Sequence, residues 1–199
     1  MSEMETVGIF GGSFNPVHIG HMMLASYLSQ WTEIEHVWFN LSPQNPLKNP
    51  DGLLDDAVRL EMLNRATADA PDVAVCDIEL SMPRPSYTIN TLDALSGLHS
   101  SYRFKLIVGA DNWVKFSHWK DYQRIIDEYG VIVYPRPGYF VDSATLPAGV
   151  TLVDAPVIEL SSTFIRDGIA SGKDMRAFLP SGVYEYIMEH GLYRADNAK

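Results

Sequence analysis

Residues Phe10-Gly-Gly-Ser-Phe-Asn-Pro-Val-His-Ile-Gly-His21 decide the fold. The short apolar run Val7 to Phe10 reads as a strand and leads straight into Gly11 and Gly12. Pro16 prevents a helix from starting earlier. From about Ile19, residues Met22, Met23, Ala25, Tyr27 and Leu28 fit one helical face ending near Gln30. A buried strand, a Gly-rich turn and a helix start together form a place where anions bind, because unpaired N–H groups and the positive helix end point at the turn. His36 to Leu41 is a second apolar run, so the region is a strand–helix–strand unit. Its right-handed crossover implies a parallel sheet.

The rest of the chain repeats the alternation. Ser42 to Gly52, rich in Pro and Asn, is a loop at the end of the second strand, the edge of a parallel sheet where ligands bind. Asp55 to Ala70 patterns as a helix with Val58, Leu60, Met62, Leu63 and Ala66 inward. Val73 to Leu80 alternates and reads as a strand, Pro83 to Thr88 as a loop, and Thr88 to Leu98 as a helix. Phe104 to Val108 is a central strand capped by Gly109-Ala-Asp-Asn112. An aromatic segment with Trp113, Phe116, Trp119 and Tyr122 reads as helical with a break near Ser117-His118. Strands follow at Gly130 to Tyr134 and within Val150 to Ile158. Helices follow from Ser161 and over Pro180 to His190. The pattern predicts the α/β class with a doubly wound sheet, in one domain over residues 1–199.

Composition excludes several function classes. The formal net charge of −10 argues against a nucleic-acid binder, while a small anionic substrate can still occupy a locally positive pocket. Cys76 is the only cysteine, so neither an internal disulfide nor a multi-cysteine zinc site can form. The acidic N-terminus is no signal peptide, and no apolar run is long enough to cross a bilayer. The expectation is a cytoplasmic protein with no membrane partner.

Two stretches carry the chemistry. His18 and His21, three apart, share a face at the N-terminus of the first helix. Their N–H donors would suit a phosphate oxygen whose charge grows during reaction. Taken alone the pair also reads as two ordinary helix-start histidines, or as half of a zinc site lacking a third ligand. In Ser161-Ser-Thr-Phe-Ile-Arg166, hydroxyls and N–H groups gather at a second helix start, and Arg166 can swing onto the same end. By itself this is a capped helix with a surface arginine. Together the two helix starts could surround one polyphosphate. There is no G-x-x-x-x-G-K-[ST], no G-x-G-x-x-G after the first strand and no G-x-S-x-G.

The first stretch resembles the (G)G-[ST]-F-[DN]-P-x-H-x-G-H signature of the nucleotidyltransferase superfamily, and Leu160 to Arg166 resembles its second signature, I-S-S-T-x-I-R. Pro85-Ser-Tyr-Thr88, Val108 to Trp113 with Trp119 downstream, Arg136-Pro-Gly138 and Gly191-Leu-Tyr-Arg194 narrow the resemblance to the bacterial nicotinate-nucleotide adenylyltransferases. The resemblance implies a doubly wound, mostly parallel, Rossmann-like nucleotidyltransferase fold. It implies ATP and nicotinate mononucleotide as substrates and Mg²⁺ carried on the ATP phosphates, with no metal ligands from the protein. It assigns His18, His21 and Arg166 to catalysis on the phosphates, with Gly11, Gly12 and Ser13 lining the phosphate channel. Ser162 and Thr163 would hold the β- and γ-phosphates, Gly109 and Asp111 the ribose, and Lys48 and Arg136 the substrate phosphates. Thr88 and Trp119 would form the nicotinate pocket. Trp119 equally reads as a core aromatic, Asp111 as a helix cap and Lys48 as a loop charge. Asn15 and Leu47 depart from residues common at their positions, which removes a charge and a candidate phosphate donor. Competing readings are a nicotinamide-mononucleotide or pantetheine-phosphate adenylyltransferase, or a non-catalytic nucleotide sensor. A homo-oligomer is compatible with the sequence.

Overall fold

The computed structural model describes residues 4–43 and 52–195. Six strands form one sheet: β1 (Glu5–Gly12), β2 (His36–Leu41), β3 (Val73–Cys76), β4 (Tyr102–Gly109), β5 (Val131–Tyr134) and β6 (Val150–Leu152). Their order is β3-β2-β1-β4-β5-β6. Every pairing is parallel, which explains the near-continuous apolar runs: such a sheet is covered on both faces.

Among the described residues seven helices supply the cover: α1 (Ile19–Trp31), α2 (Asp56–Thr67), α3 (Thr88–Leu98), α4 (Ala110–Trp113), α5 (Tyr122–Arg124), α6 (Ser162–Ala170) and α7 (Ser181–Glu189). On one face Phe39 and Ile107 of the sheet meet Leu28 of α1, Leu63 of α2, Ile165 of α6 and Ile187 of α7. On the other, Ile9, Leu106 and Val133 meet Ile89 and Leu92 of α3, with Phe116 and Ile125. Each fully buried aliphatic side chain contributes about 1.5–3 kcal/mol. Cover on both faces makes the fold doubly wound, and the strand order reverses between β1 and β4. Ligands bind at such a reversal, beyond the carboxyl ends of the strands.

Elements β2 and α3 coincide with the sequence reading. Three segments differ. The first strand does not end at Phe10 but runs on through Gly11 and Gly12, in register with Asn40 and Leu41 of β2. The alternation over Val73 to Leu80 does not continue as a strand: β3 stops at Cys76, and Ile78–Ser81 form a 3-10 turn. The last register pair is Asn40 with Cys76, so beyond it β3 has almost no neighbour left to pair with. The turn carries Glu79 inside. The aromatic segment is also more broken than expected. After α4, a 3-10 turn spans Phe116–His118, and Asp121 sits at φ 51° before α5 passes into a π turn at Ile125–Tyr129. No helix among the described residues is long and apolar enough to cross a membrane.

Candidate active site

The turn after β1 is held from several sides. Phe14 has φ 43°, a left-handed conformation costly for a bulky residue. Burial holds it there: its ring packs at 5.1 Å from Phe39 and 5.1 Å from His21. Asn15 is buried. Its side-chain amide donates to the Gly52 carbonyl at 2.8 Å, and its Oδ1 accepts from the Tyr193 hydroxyl at 2.8 Å. Arg59, on α2, is fully buried. It donates to the carbonyls of Ser13 (2.7 Å), Ser42 (2.9 Å), Pro43 (3.1 Å) and Leu54 (2.9 Å), and pairs with Asp56. One guanidinium therefore ties the phosphate turn to the exit of β2.

The two histidines form a unit. Their rings stack at 3.7 Å and 27°. The backbone N–H of His18 donates to His21 Nδ1 at 3.1 Å. A nitrogen that accepts carries no hydrogen, so the N–H of the neutral His21 ring is on Nε2. His18 is 5% exposed. Burial, followed by the nearby Arg136 charge, pushes its pKa down to about 4, so its imidazole is neutral at neutral pH. Gly20 makes room for this ring, because a Cβ there would lie 3.0 Å from His18 Nδ1.

The second signature is clasped onto the first. Ser161 caps α6, its Oγ accepting from Phe164 N at 3.1 Å. Ser162 Oγ donates to the Pro16 carbonyl at 2.8 Å, and Arg166 donates to the Asn15 carbonyl at 2.9 Å and to Thr163 Oγ1 at 3.2 Å. The hydroxyl hydrogen of Ser162 is thus engaged within the protein. What Ser162 can offer an anion is its backbone N–H, in the first turn of α6, where N–H groups lack helical acceptors.

A cavity of about 410 Å³ lies between the two signatures. Its lining brings together Gly11, Gly12, Ser13, His18, His21, Asp111, Arg136, Ser162, Thr163 and Arg166. Asp111 and Arg136 face each other at 3.6 Å, an ion pair across the cavity rim. A second cavity of about 250 Å³ opens on the other side of the same turn, with Thr88, Gly109 and Trp119 in its lining. The two cavities share Phe10, Gly11, Gly12, Ser13, Asn112 and Tyr134. Arg136 lines the histidine cavity and not the Trp119 cavity, while Gly109 lines the Trp119 cavity. Lys48 lies outside the described residues.

Sequence reasoning missed Arg59 and Glu79. Arg59 sits between apolar neighbours of α2 and reads as a solvent-facing charge. Glu79 is buried beside the Trp119 cavity, where Asn40 (2.6 Å), Thr91 (2.9 Å), Ser86 (2.8 Å) and Ser42 (3.2 Å) all donate to it. The one legible signal for this cluster is Asn40, a polar residue inside an otherwise apolar strand.

No group of three or more His, Cys, Asp or Glu side chains gathers among the described residues. Among the described residues one carboxylate lines the histidine cavity, that of Asp111, and it is paired with Arg136. This donor set fits a cation held by the oxygens of a polyphosphate.

Comparison with known proteins agrees with this architecture. The cytidylyltransferase-like family model matches residues 9–168. A Bacteroides fragilis protein named probable nicotinate-nucleotide adenylyltransferase is 47% identical over 189 residues, covering 95% of this chain and 94% of its own. A Porphyromonas gingivalis protein of the same name is 50% identical over 174 residues, covering 87% and 88%. Among solved structures, the Plasmodium falciparum nicotinic acid mononucleotide adenylyltransferase complexed with NaAD has the same fold, with a TM-score of 0.76 at 19% identity over 95% of this chain and 97% of that one. The family match and the curated relatives show that the chain belongs to the cytidylyltransferase-like family and, within it, to the nicotinate-nucleotide adenylyltransferases.

Proposed function

We propose that the protein transfers the AMP moiety of ATP to nicotinate mononucleotide, giving nicotinate adenine dinucleotide and pyrophosphate in NAD biosynthesis. The observation that carries this reading is the pair of cavities meeting over Gly11–Ser13, one walled by anion donors and the other by Trp119. ATP fits the first, its phosphates between the His18/His21 pair and the start of α6. The mononucleotide fits the second, its ring against Trp119 and its 5′-phosphate toward the shared turn.

A 5′-phosphate oxygen of the mononucleotide attacks the α-phosphorus of ATP. The new P–O bond forms as the bond to the β-phosphate oxygen breaks, and pyrophosphate leaves with that electron pair. The nucleophile is already an anion, so no general base has to remove a proton. Catalysis is then positioning and charge stabilisation. The N–H on His21 Nε2 and the neutral His18 ring are placed to meet charge growing on the α-phosphate. Arg166 and the N–H groups of Ser162 and Thr163 hold the leaving phosphates. Mg²⁺, carried on the ATP phosphates, would neutralise part of their charge. The carboxylate of the nicotinate ring suits the start of α3 at Thr88, where the first N–H groups have no helical acceptor. Lys120 adds an ammonium to the same mouth, 4.7 Å from the Tyr87 ring centre. One domain, in this reading, carries both substrates.

The test is pyrophosphate release with ATP and Mg²⁺ across nicotinate mononucleotide, nicotinamide mononucleotide and phosphopantetheine. Fastest release with nicotinate mononucleotide is expected. Release with phosphopantetheine alone, or with none of the three, overturns the reading.

A further inference from the structure

The Trp119 cavity has two unlike walls. One is organised by Glu79, whose carboxylate can only accept hydrogen bonds when ionised. Its two oxygens take the side-chain hydrogens of Asn40, Ser42, Ser86 and Thr91. Each hydroxyl has one hydrogen: those of Ser42 and Ser86 go to Glu79, and that of Thr91 goes to Glu79 or to the Tyr87 carbonyl. Toward the cavity these hydroxyls therefore offer lone pairs. Asn40 is the clearest case. It is 2% exposed, its Nδ2 is fixed on Glu79, and its Oδ1 is buried with no partner among the described residues. A buried acceptor without a partner is costly, and native structures rarely keep one without a use.

A wall made of acceptors takes a ligand's donors and rejects its anions. The ring carboxylate of nicotinate has no hydrogen to give at neutral pH, so it cannot face this wall. Position narrows the choice further. Asn40 stands directly opposite Gly11 in the parallel register. No atom lies within 4 Å of where a Gly11 Cβ would be, so open space begins beside Asn40. Gly11, near the end of β1, begins the stretch that both cavities share, where the acceptor's 5′-phosphate must sit to reach ATP. The group next to that phosphate is the sugar, and its hydroxyls are donors.

We propose that Asn40 Oδ1 accepts a hydrogen bond from a ribose hydroxyl of the acceptor mononucleotide, with Glu79 as the positioning residue that fixes the orientation of the Asn40 amide. The inference rests on the reading of this cavity as the acceptor's site.

The experiment compares nicotinate mononucleotide with its 2′-deoxy and 3′-deoxy analogues, in the wild-type protein and in Asn40→Ala. Wild type should lose roughly tenfold in kcat/KM on one of the two analogues, the scale of one hydrogen bond. Asn40→Ala should lose a similar factor on the parent nucleotide and nothing further on that analogue, with the KM for ATP unchanged. Glu79→Ala should also abolish the dependence on the sugar hydroxyl, and Glu79→Gln should restore it in part. A purely structural role would instead lower activity on all three nucleotides alike. Equal kcat/KM for all three nucleotides in wild type overturns the inference without needing any variant. So does an additive second loss in Asn40→Ala, or a change in the acid-to-amide ratio in place of the sugar dependence. Absence of turnover with nicotinate mononucleotide in wild type would instead overturn the functional reading on which the inference rests.

Discussion

Replacing Arg59 by methionine removes a buried cation while keeping most of its volume. The guanidinium serves the carbonyls of Ser13, Ser42, Pro43 and Leu54, and it pairs with Asp56. Deleting one partner of a buried pair typically costs about 3–5 kcal/mol, chiefly because the other is left uncompensated. Here Asp56 is 29% exposed and keeps a second partner, Arg84 at 2.7 Å, so its share of the cost is small. The larger share comes from the carbonyls, each about 1–3 kcal/mol when buried and unmet. Several lie on loops that water can reach, so the expected loss is about 3 kcal/mol. For a domain of this length that is a fall in Tm of roughly 6–12 °C. Calorimetry or urea unfolding reads it directly. The same change frees the Ser13 carbonyl, so the KM for ATP should rise even at temperatures where the variant is fully folded. An unchanged Tm together with an unchanged KM for ATP would refute the claim that Arg59 holds the phosphate turn.

Two further predictions follow from the site. Unfolded His18 takes up its proton near the ordinary value of 6.5, whereas folded His18 does so only at about 4. Between those values the unfolded state binds more protons, so stability falls as pH falls from 6.5 toward 4, by about 3 kcal/mol in total. Thermal melts from pH 7 to 4.5 should show His18→Gln losing less stability over that range than wild type. Trp119→Ala should raise the KM for the mononucleotide by about tenfold or more, since ring stacking and buried area are lost together, and leave the KM for ATP unchanged in steady-state kinetics. A raised KM for ATP instead would show that the two cavities hold the substrates the other way round.

The parts of this protein written in local chemistry are legible in its sequence. Pro16 punctuates the chain so sharply that α1 follows from it, whereas β1 runs on through the glycines that read as its end. The caps and hydroxyls of Ser161–Thr163 likewise announce α6. What the sequence does not display is the set of partners that are far away in the chain. Glu79 looks like the polar face of an alternating strand, and only its donors on β2, α3 and the intervening loop reveal a buried carboxylate. Arg59 looks like a surface charge because its partners are backbone carbonyls, which every residue has. Ser162 belongs to the second signature, yet its hydroxyl reaches 146 residues back to Pro16, so part of the signature holds the site together. The separate placing of Arg136 and Trp119 depends on which side of the β1 turn each loop falls, a property of the sheet order and not of any local motif.

The most direct test of the central claim is the turnover of His21→Ala with saturating ATP and nicotinate mononucleotide. If the Nε2–H of His21 meets the charge that develops on the reacting phosphate, kcat should fall by about 10²–10³-fold. The KM values and the melting curve should stay close to those of wild type. Wild-type kcat in a folded His21→Ala protein would contradict the account.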